Sequence, residues 1–326
     1  MKYILILIFI ISCASKEKRY VPSFDGELTQ FDYPYDVQTY KFSSQNQKLK
    51  MAYGDLGDHE SKKVAVLLHG KNFSGYYWEQ IANDLVDKGY RVIIPDQVGF
   101  GKSSKPSYYQ YSFQQLALNT FSLLDDLQVE KFTLVGHSMG GMLAVHMTNM
   151  SSRVNRLILV NPIGLEDYLN YVEYKDTDIF YKNELAQTVD TFRDYQKKHY
   201  YDGQWSEKYE RLLTPFKGWR NGPDWELVAW NNALTYSPIF TNPIRPELAR
   251  LQVETHLILG TRDRTAPGAG WMKPGINKKL GQYNKLGAEI KKLNPRKITV
   301  IEIEDLGHMP QFEDYERFSS HFFSLF

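Results

Sequence analysis

Leu134-Val135-Gly136-His137-Ser138-Met139-Gly140-Gly141 passes from a run of β-formers through G-x-S-x-G into a helix-compatible stretch, Met142 to Met150. A serine held on a strained turn between strand and helix needs glycine two residues before and two after it, because a side chain at either place would clash. Ser138 has Gly136 and Gly140. The pentapeptide alone is common by chance, so its weight comes from the strand before it, the helix after it and the partners further along the chain.

Outward from this turn, apolar or β-branched runs recur at 38–42, 49–53, 64–68, 91–94, 132–135, 156–160, 255–259 and 298–303. The later runs are short, continuous and unpatterned, as strands buried on both faces of a parallel sheet are. Amphipathic stretches at 76–87, 113–127, 138–150 and 314–325 supply covering helices. The alternation predicts a mostly parallel eight-stranded sheet with helices on both faces. Residues 166–245 break it. They hold no convincing strand, and roughly a fifth of them are aromatic, including Trp205, Trp219, Trp225 and Trp230. This composition predicts a helical cap inserted after the sixth strand, with aromatics suited to lining an apolar cleft. A second long connection, 264–297, carries Pro267-Gly268, Pro274-Gly275 and a helical stretch near 280–293, and is expected to wrap the core edge beneath the cap.

With 326 residues, 42% of them apolar, and a formal net charge of +1, the chain can bury a large core and has no electrostatic footprint for nucleic acid. At the start, Met1-Lys2-Tyr3 precedes an almost wholly aliphatic run, Ile4 to Ile11, too short to span a bilayer and read as an export signal. Ile10-Ile11-Ser12-Cys13 resembles the lipobox of bacterial lipoproteins. Cys13 is the chain's one cysteine, which suits lipidation at that position and leaves no disulfide to form. The expected plan is therefore a signal peptide at 1–12, a tether at 13–30, a core at 31–165 and 246–326, and the cap at 166–245. Location would be the bacterial cell envelope, exported and lipid-anchored to a membrane.

Five motifs occur in order: Leu68-His69-Gly70-Lys71-Asn72-Phe73, Asp96-Gln97-Val98-Gly99-Phe100-Gly101-Lys102-Ser103, the turn at Ser138, Gly260-Thr261-Arg262-Asp263, and Gly307-His308. From about Tyr40 to Phe326 the chain resembles a capped α/β-hydrolase of the serine-esterase, C–C-bond hydrolase and prolyl-peptidase-like branch. The resemblance implies a triad in the order Ser, Asp, His, met by Ser138, Asp263 and His308, each just past the end of a strand. It also implies an oxyanion hole from the backbone N–H groups of Met139 and Lys71, with Asn72 beside it. The Lys71 side chain is expected to face solvent. Asn72 and, in the cap, Trp205 and Trp230 are the candidate substrate-binding residues, and Trp219 and Trp225 are the cap's other tryptophans.

Competing residues have structural readings. His137 should pack behind the site, His69 should brace the loop after the third strand, and Asp96 should satisfy backbone N–H groups of its glycine turn. Asn161 stands where some relatives carry the acid, and an amide cannot stabilise an imidazolium as a carboxylate does. The other histidines show no ligand spacing, so neither metal nor cofactor is expected. A serine nucleophile excludes the aspartyl-ester chemistry of haloalkane dehalogenases and epoxide hydrolases. Hydrolysis of a small or medium carboxylic ester through an acyl-enzyme is the leading expectation. Diketone C–C cleavage, peptidase or amidase work, and a catalytically silent ligand receptor are the alternatives.

Overall fold

The central strands are largely apolar because both of their faces are covered, and in the computed structural model, which describes residues 21–326, they form the middle of one eight-stranded sheet. Its strands are β1 (Val37–Ser44), β2 (Gln47–Leu56), β3 (Val64–Leu68), β4 (Arg91–Pro95), β5 (Phe132–His137), β6 (Val154–Val160), β7 (Glu254–Gly260) and β8 (Ile298–Ile303). They lie in the order β1-β2-β4-β3-β5-β6-β7-β8, with β2 antiparallel to both its neighbours and every other pair parallel. The sheet is the expected one, with strand ends extended by one to several residues.

Alternation along each strand sends side chains to two separate cores. Val64, Val66 and Leu68 of β3 join Leu134, Leu157 and Leu159 under α2 (Phe113–Asp126) and α3 (Met139–Met150), while Ala65 and Leu67 join Val135, Ile158 and Val160 under α1 (Glu79–Asp87). The helices of the inserted region follow β6: α4 (Thr177–Ala186), α5 (Val189–His199), α6 (Glu207–Leu212), α7 (Thr214–Arg220), α8 (Trp225–Leu234) and α9 (Tyr236–Thr241). Next, α10 (Arg245–Arg250) returns to the first core through Leu248, and α11 (Tyr283–Leu293) adds Leu286 and Ile290 to it. The short α12 (Pro310–Glu313) and α13 (Tyr315–Phe323) follow β8, and α13 covers the α1 side with Phe318 and Phe322.

The segment expected as a tether requires correction over its described part. Residues 21–30 dock on the inserted helices, with Phe24 and Leu28 buried in a third cluster beside Phe192, Leu213, Phe216, Trp219 and Trp225. Phe24 N–H donates to the Gly218 carbonyl at 2.9 Å, Gly26 N–H to Asp224 at 2.8 Å, and Trp219 Nε1 to the Gly26 carbonyl at 3.1 Å. Polar composition suggested a free segment, but two apolar residues four apart suffice to anchor it once a neighbouring surface offers a matching groove. The export signal and Cys13 lie outside the described residues.

Candidate active site

Ser138 sits between β5 and α3 with φ 56° and ψ −121°, the strained geometry the glycine pattern calls for. A Cβ on Gly136 would lie 2.4 Å from the Gly140 carbonyl oxygen, and one on Gly140 2.4 Å from that of Leu68, so neither position admits a side chain. The strain points the hydroxyl out of the strand toward the loop after β8. His308 Nε2 meets Ser138 Oγ at 3.0 Å, and His308 Nδ1 meets Asp263 Oδ2 at 2.8 Å. All three residues are buried. The carboxylate assigns the imidazole tautomer: Nδ1–H donates to Asp263, leaving Nε2 to accept from the serine.

Asp263 is held further by Thr265 N–H on Oδ1 at 2.7 Å and Asn161 Nδ2 on Oδ2 at 2.8 Å. Burial alone would raise its pKa, but the adjacent His308 and these donors outweigh burial and keep it below the ordinary carboxylate value. Asn161 was read only as a missing acid. The structure places it as a clamp, its Oδ1 accepting from Gly260 N–H at 3.1 Å while its amide donates to Asp263.

Behind the serine, Gly70 N–H donates to Tyr77 Oη at 2.9 Å, Tyr77 meets His137 Nδ1 at 3.0 Å, and His137 Nε2 meets the His308 carbonyl at 2.9 Å. Because the carbonyl accepts only, His137 carries its proton on Nε2 and accepts a hydrogen bond from the tyrosine hydroxyl on Nδ1. Burial, with His308 nearby, drives its pKa down to about 3, so this bridge stays neutral across the working range. His69 likewise ties two loops, donating from Nδ1 to the Gly70 carbonyl at 2.9 Å and accepting Gln97 N–H on Nε2 at 3.0 Å. Asp96 accepts from Gly75 N–H at 2.6 Å, Lys102 N–H at 2.8 Å and Tyr33 Oη at 2.6 Å, all away from Ser138.

Lys71 follows Gly70 in the loop after β3, and Met139 follows Ser138 at the start of α3. A Cβ on Gly70 would lie 2.9 Å from the Ser138 Cβ, which shows how closely the loop after β3 approaches. Met139 opens α3, where backbone N–H groups have no intrahelical partner. A cavity of about 350 Å³ opens over Ser138, lined by Lys71, Asn72, Tyr195, Tyr236, Trp271 and the loop 264–270 among others. A larger cleft of about 560 Å³, between Phe31, Tyr76, Leu212 and Phe312, contains none of the three residues and is not the site.

Three expectations are corrected here. The Lys71 side chain does not face solvent: it is 9% exposed, and its Nζ donates to the Asn232 carbonyl of α8 at 3.0 Å. Trp205 and Trp230 do not line the cavity. Trp205 donates to Glu210 at 2.7 Å and packs on Tyr201 and Tyr209, whereas Trp230 donates to the Ser107 carbonyl at 2.9 Å and packs on Tyr181. Trp219 and Trp225 belong to the cluster around Phe24. Most of this aromatic density fills the inserted region's own core, because six short helices have little else to bury. The aromatic walls near Ser138 are Tyr195, Tyr200, Tyr236 and Trp271, and the Tyr200 ring lies 4.7 Å from that of His308. The Trp271 loop has no periodicity to betray it, although its Pro-Gly content marked it as irregular. Asn72 does line the cavity, in the left-handed region at φ 68°. Among the described residues, no group of three or more His, Cys, Asp or Glu is arranged to hold a metal.

This strand order, turn and residue trio define a class, and the chain belongs to it: the alpha/beta hydrolase fold family, whose model matches residues 64–236. It is 43% identical to a probable hydrolytic enzyme of Pseudomonas aeruginosa PAO1, with a TM-score of 0.90 over 93% of this chain and 98% of that one. It is 25% identical to a 3-hydroxybutyrate-oligomer hydrolase of Cupriavidus necator across 81% of this chain and 89% of that protein. A karrikin insensitive 2 receptor IA of Petunia hybrida is 26% identical across 77% of this chain and 85% of its own. The protein is thus an enzyme of hydrolytic type.

Proposed function

We propose that the protein cleaves a small or medium carboxylic ester through an acyl-enzyme, with Ser138 as nucleophile, His308 as general base and then general acid, and Asp263 as the residue that orients the imidazole. The observation that carries this is the unbroken chain from Ser138 through His308 to Asp263, at 3.0 and 2.8 Å, beneath a cavity of about 350 Å³. Attack on the carbonyl moves the serine proton to Nε2. The alkoxide that forms meets the Lys71 and Met139 N–H groups, the imidazolium protonates the departing alcohol, and water deprotonated by the same histidine releases the acid. No cofactor enters these steps.

The name of the Cupriavidus relative, a 3-hydroxybutyrate-oligomer hydrolase, favours ester over C–C or amide substrates, because a hydroxy acid joins to another through an ester bond. The Petunia relative, named as a receptor, keeps the non-catalytic reading in view. A fluorophosphonate separates the two by labelling Ser138 in an active hydrolase. Nitrophenyl esters graded by acyl length, run beside a diketone and a peptide substrate, then identify the bond. Failure to label folded protein, together with no turnover of any ester, overturns the proposal.

Residues 1–13 support a further part of the proposal, that the enzyme is exported and anchored in the bacterial envelope through a lipid on Cys13. Radiolabelled fatty acid should enter the wild-type protein and not Cys13→Ser.

A further inference from the structure

Lys71 lines the cavity that holds Ser138, and its buried ammonium lies over the ring of Tyr236, which lines the same cavity. An ammonium has three N–H donors. One is used by the Asn232 carbonyl at 3.0 Å. Glu184 Oε1, on α4 and 2% exposed, lies at 3.6 Å, within reach of an ion pair but beyond a hydrogen bond. The Tyr236 ring lies 4.2 Å below the charge and offers a π face, which attracts the cation but does not replace a lone pair. Burial lowers the lysine's pKa, and the neighbouring Glu184 carboxylate opposes that shift.

Charge balance narrows what can complete the set. Glu184 already compensates Lys71, so a substrate carboxylate at this point would add a second buried negative charge beside the first. An uncharged oxygen with a lone pair accepts one of the two remaining N–H groups without that penalty. The other cationic group at the cavity, Arg264, is exposed and donates to the Thr261 and Asp263 carbonyls at 2.9 and 2.6 Å, so it belongs to the mouth rather than the interior. Resting on the hydrolase reading, we propose that Lys71, with Glu184 behind it, provides a subsite for an uncharged acceptor oxygen near the scissile carbonyl, which makes the preferred substrates oxygenated esters, carrying a second carbonyl, ether or hydroxyl, rather than plain aliphatic or anionic ones.

The test uses isosteric esters and the detergent-solubilised full-length protein. Methyl 4-oxopentanoate, methyl pentanoate and monomethyl succinate differ on the acyl half, and 2-methoxyethyl and butyl butanoates on the alcohol half, each kcat/KM being divided by the ester's rate of alkaline hydrolysis. An oxygenated ester should exceed its aliphatic match by about tenfold or more on one half, the scale of a hydrogen bond to a charged group. That ratio should fall to about twofold or less in Lys71→Met, and monomethyl succinate should remain the poorest acyl substrate. Glu184→Gln, which leaves Lys71 uncompensated, should raise monomethyl succinate relative to methyl pentanoate. Equal rates on both matched pairs, a preference for the succinate in wild type, or an oxo-ester preference that persists in Lys71→Met overturns the subsite. In those cases turnover of the esters leaves the hydrolase reading standing. Absence of all turnover in protein whose Ser138 still takes a fluorophosphonate also overturns the subsite, whereas loss of labelling as well overturns the hydrolase reading itself.

Discussion

The sheet core and the inserted helical region meet over Ser138, and they are held together in different ways. The core buries Leu67, Val135, Ile158 and their neighbours completely, and its polar residues at the site are paired on every side: Asp263 by His308, Thr265 and Asn161, and His137 by Tyr77 and the His308 carbonyl. The inserted region packs around its own aromatics and is joined to the core by separate polar ties. These include Tyr76 Oη to the Leu212 carbonyl at 2.7 Å, Tyr111 Oη to Asn231 at 2.6 Å and Lys71 to the Asn232 carbonyl at 3.0 Å. Residues 21–30 clasp its far side. If the proposed hydrolysis holds, this difference should divide the work: the core, as a base, would set the reaction geometry and the separately packed roof would limit what reaches it.

The largest effects should come from breaking the base. Ser138→Ala should lower kcat on any ester by a factor on the order of 10⁶ while the thermal transition stays put, since removing a triad nucleophile removes the shared mechanism. Asp263→Asn should lose on the order of 10³ to 10⁴, because an amide neither fixes the tautomer nor stabilises the imidazolium. Asp96→Asn, whose carboxylate holds Gly75 and Lys102 N–H groups, should lower Tm and spare most of kcat. Kinetics and calorimetry on the three purified variants check this, and a larger kcat loss in Asp96→Asn than in Asp263→Asn would reassign the acid.

The base was legible because its chemistry constrains its neighbours. Gly136 and Gly140 are required by the turn itself, Asp263 follows a strand whose apolar run Leu257–Leu259 is buried on both faces, and His308 follows the β-branched run of the edge strand β8. Nothing comparable marks the roof. The direction of Lys71 depends on where α4, α8 and α9 settle. Trp205 and Trp230 look identical in sequence to a tryptophan that lines a cavity, and only the packing of short helices decides that Tyr195, Tyr236 and Trp271 take that place instead. Phe24 and Leu28 were hidden by the polar residues between and around them. Asn161 was visible at its strand end, but its donor role toward Asp263 requires β6 and β7 to be neighbours.

Breaking the clasp should have the next largest effect. Leu28 is fully buried, and Leu28→Ala should cost about 2–5 kcal/mol through lost transfer energy and the cavity left behind. Since Leu28 touches the roof cluster and no residue of the triad, the loss should appear as earlier unfolding and faster proteolysis within 177–241, with hydrolysis of a short ester retained at low temperature.

A pH effect of moderate size belongs to the same junction. Lys105 is buried, donates to the Gly101 carbonyl at 2.5 Å and the Ser103 carbonyl at 2.9 Å, and sits 5.4 Å from the Trp219 ring; burial lowers its pKa to about 7. An unfolded lysine titrates near 10.4. Between these values the unfolded chain binds the proton and the folded one does not, so stability from this group rises with pH through that window and is lost as pH falls through about 7. Lys105→Met should therefore raise Tm by a few degrees at pH 6, with the difference from wild type shrinking toward pH 10. A difference independent of pH, measured by calorimetry across that range, would show that Lys105 does not titrate at low pKa.

The smallest expected effect separates roof residues that line the cavity from those that pack around it. Each methylene buried in an apolar pocket contributes about 0.8 kcal/mol, so selectivity should rise with acyl length until the chain meets a wall. Trp271 is part of that wall, reaching it from the loop after β7, while Trp230 bonds to Ser107 and packs on Tyr181 away from the cavity. Trp271→Ala should thus extend the accepted acyl chain by a few carbons, with a gain of up to about fourfold in kcat/KM per added methylene, the rate equivalent of that burial energy. Trp230→Ala should leave the chain-length profile where it is and lower Tm alone. A matched nitrophenyl ester series on both variants decides the point. A cutoff that moves in Trp230→Ala but not in Trp271→Ala would mean that the roof closes over substrate in a different arrangement, with α8 rather than the loop after β7 forming the end of the pocket.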